Sequence, residues 1–158
     1  MTVTIISVGT LKEDYLVRAI DEYKKRLIAY ARIEEIVLKE ERIQCEDDIS
    51  EVSRALDREG DAILKALPKD AFKIALCVEG VQFDSVALAK RLEEGASNSG
   101  KIALVIGSSH GLSPKVKGAC DLKLSVSKLT FPHQLMRAML FEILYRSFTI
   151  MKGKKYHK

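Results

Sequence analysis

The sequence predicts an α/β fold, a mostly parallel sheet with helices on both faces. Three observations carry this. Short apolar, β-branched runs alternate with segments of helical periodicity along the 158 residues. The run Ile102 to Ile106 is continuously apolar, like strands that a parallel sheet buries on both faces. Breakers and caps, among them Gly9, Pro68, Asp84, Ser113 and Pro132, fall where one element must give way to the next.

The elements follow in order. Thr2 to Val8 is a β-rich apolar run closed by Gly9. Leu16, Ile20, Tyr23 and Leu27 then recur at i, i+4, i+7 and i+11, one face of a helix. Arg32 to Leu38 alternates and carries β-branched Ile33, Ile36 and Val37, so it reads as a strand. Lys39 to Asp48 is charged and without period, which suits a mobile loop. Ile49 to Leu67 is helical and ends before Pro68. Phe72 to Val78 is a buried strand, followed by a turn at Glu79-Gly80. Asp84 or Ser85 caps a helix through about Glu94, and Gly95 to Gly100 is a loop. After the Ile102 to Ile106 strand, Ser113-Pro114 is a cap and first-turn pair opening a short helix. Leu122 to Val126 is the last strand, and Pro132 opens the last helix.

A chain of this length predicts one domain, residues 1–158, with a core large enough to need no staples. Cys45, Cys77 and Cys120 are scattered, without C-x-x-C spacing or clustered histidines. They read as small thiols in a reducing cytosol, and no metal site is expected. The N-terminal stretch lacks the build of a signal peptide. No apolar run approaches the ~20 residues of a membrane span. The net charge of +4 permits an anionic partner without requiring one. Basic groups gather at Lys24-Lys25-Arg26 and at Lys152, Lys154, Lys155 and Lys158, as a solvated face or a phosphate-contacting patch.

On a helical wheel, the apolar residues of the last helix, from Leu135 to Met151, spread over roughly 240°. Packing on one sheet needs about 100°, so the pattern predicts two burial surfaces, the second suiting another subunit in a C2 homodimer. Arg137 falls inside the apolar arc beside Phe141 and Phe148, and a buried arginine needs an anion. A structural partner and a substrate both meet that need. Glu142 and Arg146 form an i, i+4 pair on the polar arc.

Two motifs can carry chemistry. Gly107, Ser109 and Gly111 fit the G-x-S-x-G nucleophile elbow, and Asp121 then His133 or His157 follow in the order of a hydrolase triad. The elbow needs its serine on the strand-to-helix turn, whereas Ser113-Pro114 starts the helix several residues later. The plainer reading is a Gly-rich loop at the carboxyl end of a central strand, where open α/β sheets bind ligands. Gly107 would let backbone approach a ligand closely. The second motif is the loop from Leu124 to Gln134, with hydroxyls from Ser125, Ser127 and Thr130. If the two loops follow adjacent strands they face each other across one crevice, with Leu76 as an apolar wall. Such a crevice suits a nucleoside-like cofactor; otherwise the loops are ordinary connections. The chain's last residues, Tyr156-His157-Lys158, combine aromatic and basic groups suited to stacking on a base and contacting phosphate.

The stretches Val105 to Leu112 and Leu124 to Arg137, with Leu144-Tyr145-Arg146 and the terminal Tyr156-His157-Lys158, resemble the ribosomal RNA large-subunit methyltransferase H family, small SPOUT-class enzymes. The resemblance extends over the whole chain, including Ile5 to Gly9 and Glu22 to Leu27. Ser108 departs from it, standing where a second glycine is expected, and so does Ile143, which follows Glu142 where the family usually has Gln. The resemblance implies a C-terminal trefoil knot, an exception to the unknotted rule, and an obligate homodimer. It implies S-adenosylmethionine held by Leu76, Gly107, Val126, Ser127, Lys128, Leu129, Thr130 and Phe131. The substrate it implies is a pseudouridine of large-subunit rRNA, methylated at ring N3 in the assembled ribosome. Arg137, Lys155, Tyr156, His157 and Lys158 would orient the RNA. His157 is a candidate base because histidine titrates near neutrality. No metal takes part in such a reaction. A non-catalytic RNA-binding module is the alternative from another class, set apart by failure to bind S-adenosylmethionine.

Overall fold

The computed structural model describes residues 1–156. Strands and helices alternate strictly in the order β1 (Thr2–Val8), α1 (Asp14–Leu27), β2 (Arg32–Leu38), α2 (Ile49–Ala66), β3 (Phe72–Val81), α3 (Ser85–Ala96), β4 (Lys101–Ile106), α4 (Pro114–Gly118), β5 (Leu122–Leu124) and α5 (His133–Met151). The sheet order is β2-β1-β4-β3-β5, and every neighbouring pair is parallel. The predicted α/β architecture is therefore the observed one.

Period-2 alternation assigns the strands to two cores. Val3 and Ile5 of β1, Ile102 and Leu104 of β4 and Ile74 of β3 pack with α1, α3 and α5. Ile6 and Val8 of β1, Val105 of β4 and Ala75 of β3 pack with Ile63 of α2 and Val116 of α4. Hence each face of the sheet carries its own helical layer.

Helix α5 lies between α1 and α3, and its Leu140, Phe141, Leu144 and Phe148 are buried in their shared core. One chain thus supplies two lateral burial surfaces for this helix. Much of its wide apolar arc is satisfied without a second subunit.

Three element ends and one loop differ from the sequence reading, each for a local structural reason. Strand β3 continues through Glu79-Gly80, expected as a turn, to Val81. Leu124 of β5 pairs with both Leu76 and Val81, so residues 77–80 bulge between two points of pairing. Gly80 permits this, because a Cβ there would lie 2.6 Å from the backbone of Leu124. Helix α3 runs through Gly95, expected in a loop, to Ala96. Gly95 makes room for the Phe72 ring, which a Cβ would meet at 2.2 Å. Strand β5 stops at Leu124, short of Val126, where the Ser125 hydroxyl donates to the Ser127 carbonyl at 2.9 Å in a local turn. The 39–48 segment, expected to be mobile, is irregular but anchored. Glu59 accepts from the Glu41 N–H, and Glu51 from those of Gln44 and Cys45.

Candidate active site

Strand β5 is an edge strand, yet α5 starts beside β1, on the far side of β3 and β4. The Lys12 N–H donates to Gln134 Oε1 at 2.9 Å, fixing that start. Residues 125–132 must therefore cross the carboxyl ends of β3 and β4. The crossover, the loop after β4 and the bulge of β3 enclose a pocket of about 530 Å³. That volume is within the range of small-molecule sites. Leu76, Ile106, Leu112 and Leu124 provide its apolar surface. The loops after β4 and β5 do share a crevice, but their strands are not adjacent. Strand β3 stands between them.

The loop after β4 is a tight turn. Gly111 donates to the Ser108 carbonyl at 2.9 Å and sits at φ +86°, a left-handed conformation that glycine adopts without strain. A Cβ on Gly107 would lie 1.9 Å from the Gly111 carbonyl oxygen. Gly107 is thus required by closure of its own loop, and it also lines the pocket. The Ser108 side chain turns inward, where its hydroxyl donates to Glu59 Oε2 at 2.9 Å. Burial pushes the Glu59 carboxyl above its ordinary value, opposed by the bonds from Glu41 and Ser108.

No hydrolase elbow forms. Residues 107–113 separate β4 from α4, and the Asp121 carboxylate is committed to the Lys73 N–H at 2.7 Å.

The crossover is braced locally. Ser127 Oγ accepts from the Leu129 N–H at 3.0 Å, so the Ser125 and Ser127 hydroxyls serve the loop backbone. Opposite the crossover, Glu79 on the β3 bulge pairs with Lys117 of α4. The Lys117 ammonium holds the Glu79 carboxyl below the usual range.

A family model described as a predicted SPOUT methyltransferase matches residues 1–157. A protein of Shouchella clausii named ribosomal RNA large subunit methyltransferase H is 48% identical over the full length of both chains. Its namesake in Caldicellulosiruptor bescii is 44% identical over 99% of each. The chain belongs to the ribosomal RNA large-subunit methyltransferase H family of SPOUT methyltransferases. In fold it is similar to a probable methyltransferase of Bordetella pertussis, with TM-score 0.59 at 15% identity, covering 92% of this chain and 95% of that one. A tRNA (m1G37) methyltransferase of Aquifex aeolicus gives TM-score 0.55 at 12% identity, over 92% and 70%.

Of the cofactor residues implied by likeness to the methyltransferase H family, Leu76, Gly107, Val126, Ser127, Leu129, Thr130 and Phe131 line the pocket, whereas Lys128 is exposed and does not. Cys77, Val78, Glu79, Lys117, His133 and Met136 also line it and were not singled out for it. The first three sit in the bulge that read as a strand end and turn. Lys117 lies on a helix too short to show a face.

The residues expected to meet RNA lie elsewhere. Arg137 does not line this pocket; it is 7% exposed, and its Nη2 lies 3.0 Å from Glu35 Oε2 on β2. The anion its burial demands is thus intrachain, and Lys24 joins the same carboxylate. Tyr156, expected to stack on a base, packs within its own chain. Its ring meets Tyr145 edge-on at 4.8 Å and the Arg146 guanidinium at 4.7 Å. Arg146 is itself held by Glu142 Oε1, 2.6 Å from its Nη2. Lys155 is exposed, and His157 and Lys158 lie outside the described residues.

Proposed function

We propose that this protein transfers a methyl group from S-adenosylmethionine to ring N3 of a pseudouridine in large-subunit rRNA, acting on the assembled ribosome in the cytoplasm. One observation carries the reading: a single pocket where three segments converge at the carboxyl ends of the central strands of a SPOUT-family chain. The names of its relatives supply the substrate class.

The pocket's chemistry fits S-adenosylmethionine. Leu76, Ile106, Leu112 and Leu124 suit the faces of a nucleoside, and Val126, Ser127 and residues 129–131 of the crossover line the same pocket, where their backbone groups would meet its edges. Bound there, S-adenosylmethionine supplies a methyl group already electrophilic on a sulfonium centre. The work left to the protein is alignment and exclusion of water. The crossover forms one wall of the pocket, and its Ser125 and Ser127 bonds hold that wall in shape. Tyr156 would stack on the target base, Lys155 and Lys158 would contact phosphates, and His157 would accept the N3 proton. Arg137 would orient the RNA through α5, which its pairing with Glu35 ties to β2.

The same reading takes the protein as a knotted homodimer. Tyr156 does not line the pocket of its own chain, so the tail of one subunit would complete the pocket of the other. The crossing of residues 125–132 over the ends of β3 and β4, beside the loop after β4, is the path on which the family's knot would be tied.

Calorimetric titration with S-adenosylmethionine tests the cofactor assignment. Saturable binding at one site per chain is expected. Ribosome association without any such binding would instead favour a non-catalytic module.

A further inference from the structure

We infer that Glu79 and Lys117 form the subsite for the amino-acid end of the methyl donor, Lys117 facing the α-carboxylate and Glu79 the α-ammonium. The inference rests on the proposed use of S-adenosylmethionine and extends it to two side chains. The donor has two chemically different ends. Its nucleoside is neutral and asks for apolar walls and backbone polar groups. Its amino-acid end is a zwitterion and asks for one charge of each sign, a short distance apart.

Among the described residues lining the pocket, Glu79 and Lys117 are the only aspartate, glutamate, lysine or arginine side chains. They have opposite sign and already stand together as an ion pair. They come from separate elements, the β3 bulge and α4, so their meeting is a product of the fold and not of sequence proximity. The bulge is fixed by the close approach of Gly80 to the backbone of Lys123 and Leu124. Lys117 keeps Glu79 readily ionised, as a partner for an ammonium must be.

The exchange is inexpensive. The side chains of Glu79 and Lys117 are 55% and 25% exposed, and a pair open to solvent on its carboxylate side gains little from its own contact. Opening it to admit a zwitterion replaces one ion pair with two of the same polarity. No charge is left uncompensated. The resulting charge-assisted bonds fix the orientation of the amino-acid end. They thereby fix the direction in which the sulfonium methyl points.

The test compares S-adenosylhomocysteine with 5′-methylthioadenosine, which keeps the nucleoside and thioether but lacks the amino acid. Titration calorimetry is run on the whole protein and on Lys117→Ala and Glu79→Gln. Each variant should lose about tenfold in affinity for S-adenosylhomocysteine, the scale of one charge-assisted contact. Affinity for 5′-methylthioadenosine should be unchanged, which also certifies that the variants are folded. Lys117→Arg should recover most of the loss. Unchanged affinity for S-adenosylhomocysteine, or an equal loss for both ligands, would overturn the subsite alone. A wild-type protein that binds neither ligand would overturn the cofactor reading together with it.

Discussion

The Ser108 hydroxyl donates to the Glu59 carboxylate across 2.9 Å, joining the loop after β4 to helix α2 beneath it. The other Glu59 oxygen receives the Glu41 N–H at 3.0 Å, so one buried side chain ties the 39–48 segment to the pocket loop. Replacing Ser108 with Ala should leave that oxygen without its donor. A stability loss of about 1–3 kcal/mol in urea unfolding is expected, the cost of an unmet buried acceptor.

The same carboxylate predicts a pH signature. Burial raises its folded pKa above an ordinary value of 4.5. A raised pKa means the folded state holds the proton more tightly. The associated stability is fully present below the unfolded value and is lost as pH rises through the folded one. Glu59→Gln lacks this titration. Wild-type Tm minus variant Tm should therefore decrease from about pH 4.5 toward neutrality. Parallel Tm curves in scanning calorimetry would show that Glu59 titrates normally.

Two glycines in one turn should respond differently to alanine. At Gly107 the added Cβ meets a carbonyl oxygen at 1.9 Å, and at Gly111 it meets nothing within 4 Å but sits at φ +86°. Gly111→Ala should cost about 1–2 kcal/mol, the strain of a left-handed residue. Gly107→Ala must move backbone and should cost about 3 kcal/mol or more. It should also lower cofactor affinity, since the displaced loop is a pocket wall. Equal losses in unfolding free energy would contradict the geometry.

Arg137 and Glu35 should behave as a coupled pair. Removing one partner of a buried pair costs about 3–5 kcal/mol, and Lys24 beside Glu35 favours the lower end. Arg137→Ala and Glu35→Ala should each destabilise, and the double variant by less than their sum. Additive losses in a double-mutant cycle would show the pairing to be incidental.

If the tail completes the partner's pocket, Tyr156→Ala should leave cofactor affinity unchanged while methyl transfer to ribosomes collapses. Mixing Tyr156→Ala subunits with Gly107→Val subunits should restore part of the activity, because one pocket in each mixed dimer is intact. No recovery after confirmed subunit exchange would place pocket and tail in the same chain.

The fold was legible because its signals are local. The periodicity from Leu16 to Leu27, the apolar run before Gly107 and the Ser113-Pro114 pair each mark an element within a few residues. The pocket was legible in outline, since ligands gather at the carboxyl ends of parallel strands. What local pattern could not show was contact between distant segments. The β3 bulge depends on Gly80 meeting β5, and Glu79 gains its meaning only from Lys117 on another element. The contact that excludes a side chain at Gly107, with the Gly111 carbonyl, is set by a turn that the sequence pattern did not show. Arg137 announced its need for an anion, but its partner lies 102 positions away in the chain.

The central claim is tested most directly by mass analysis of rRNA nucleosides after incubation with labelled S-adenosylmethionine and ribosomes from cells lacking the corresponding activity. The account predicts one labelled product, a pseudouridine methylated at N3 in the large-subunit rRNA. Label confined to tRNA or to another nucleoside, or no label from protein that binds the cofactor, would contradict it.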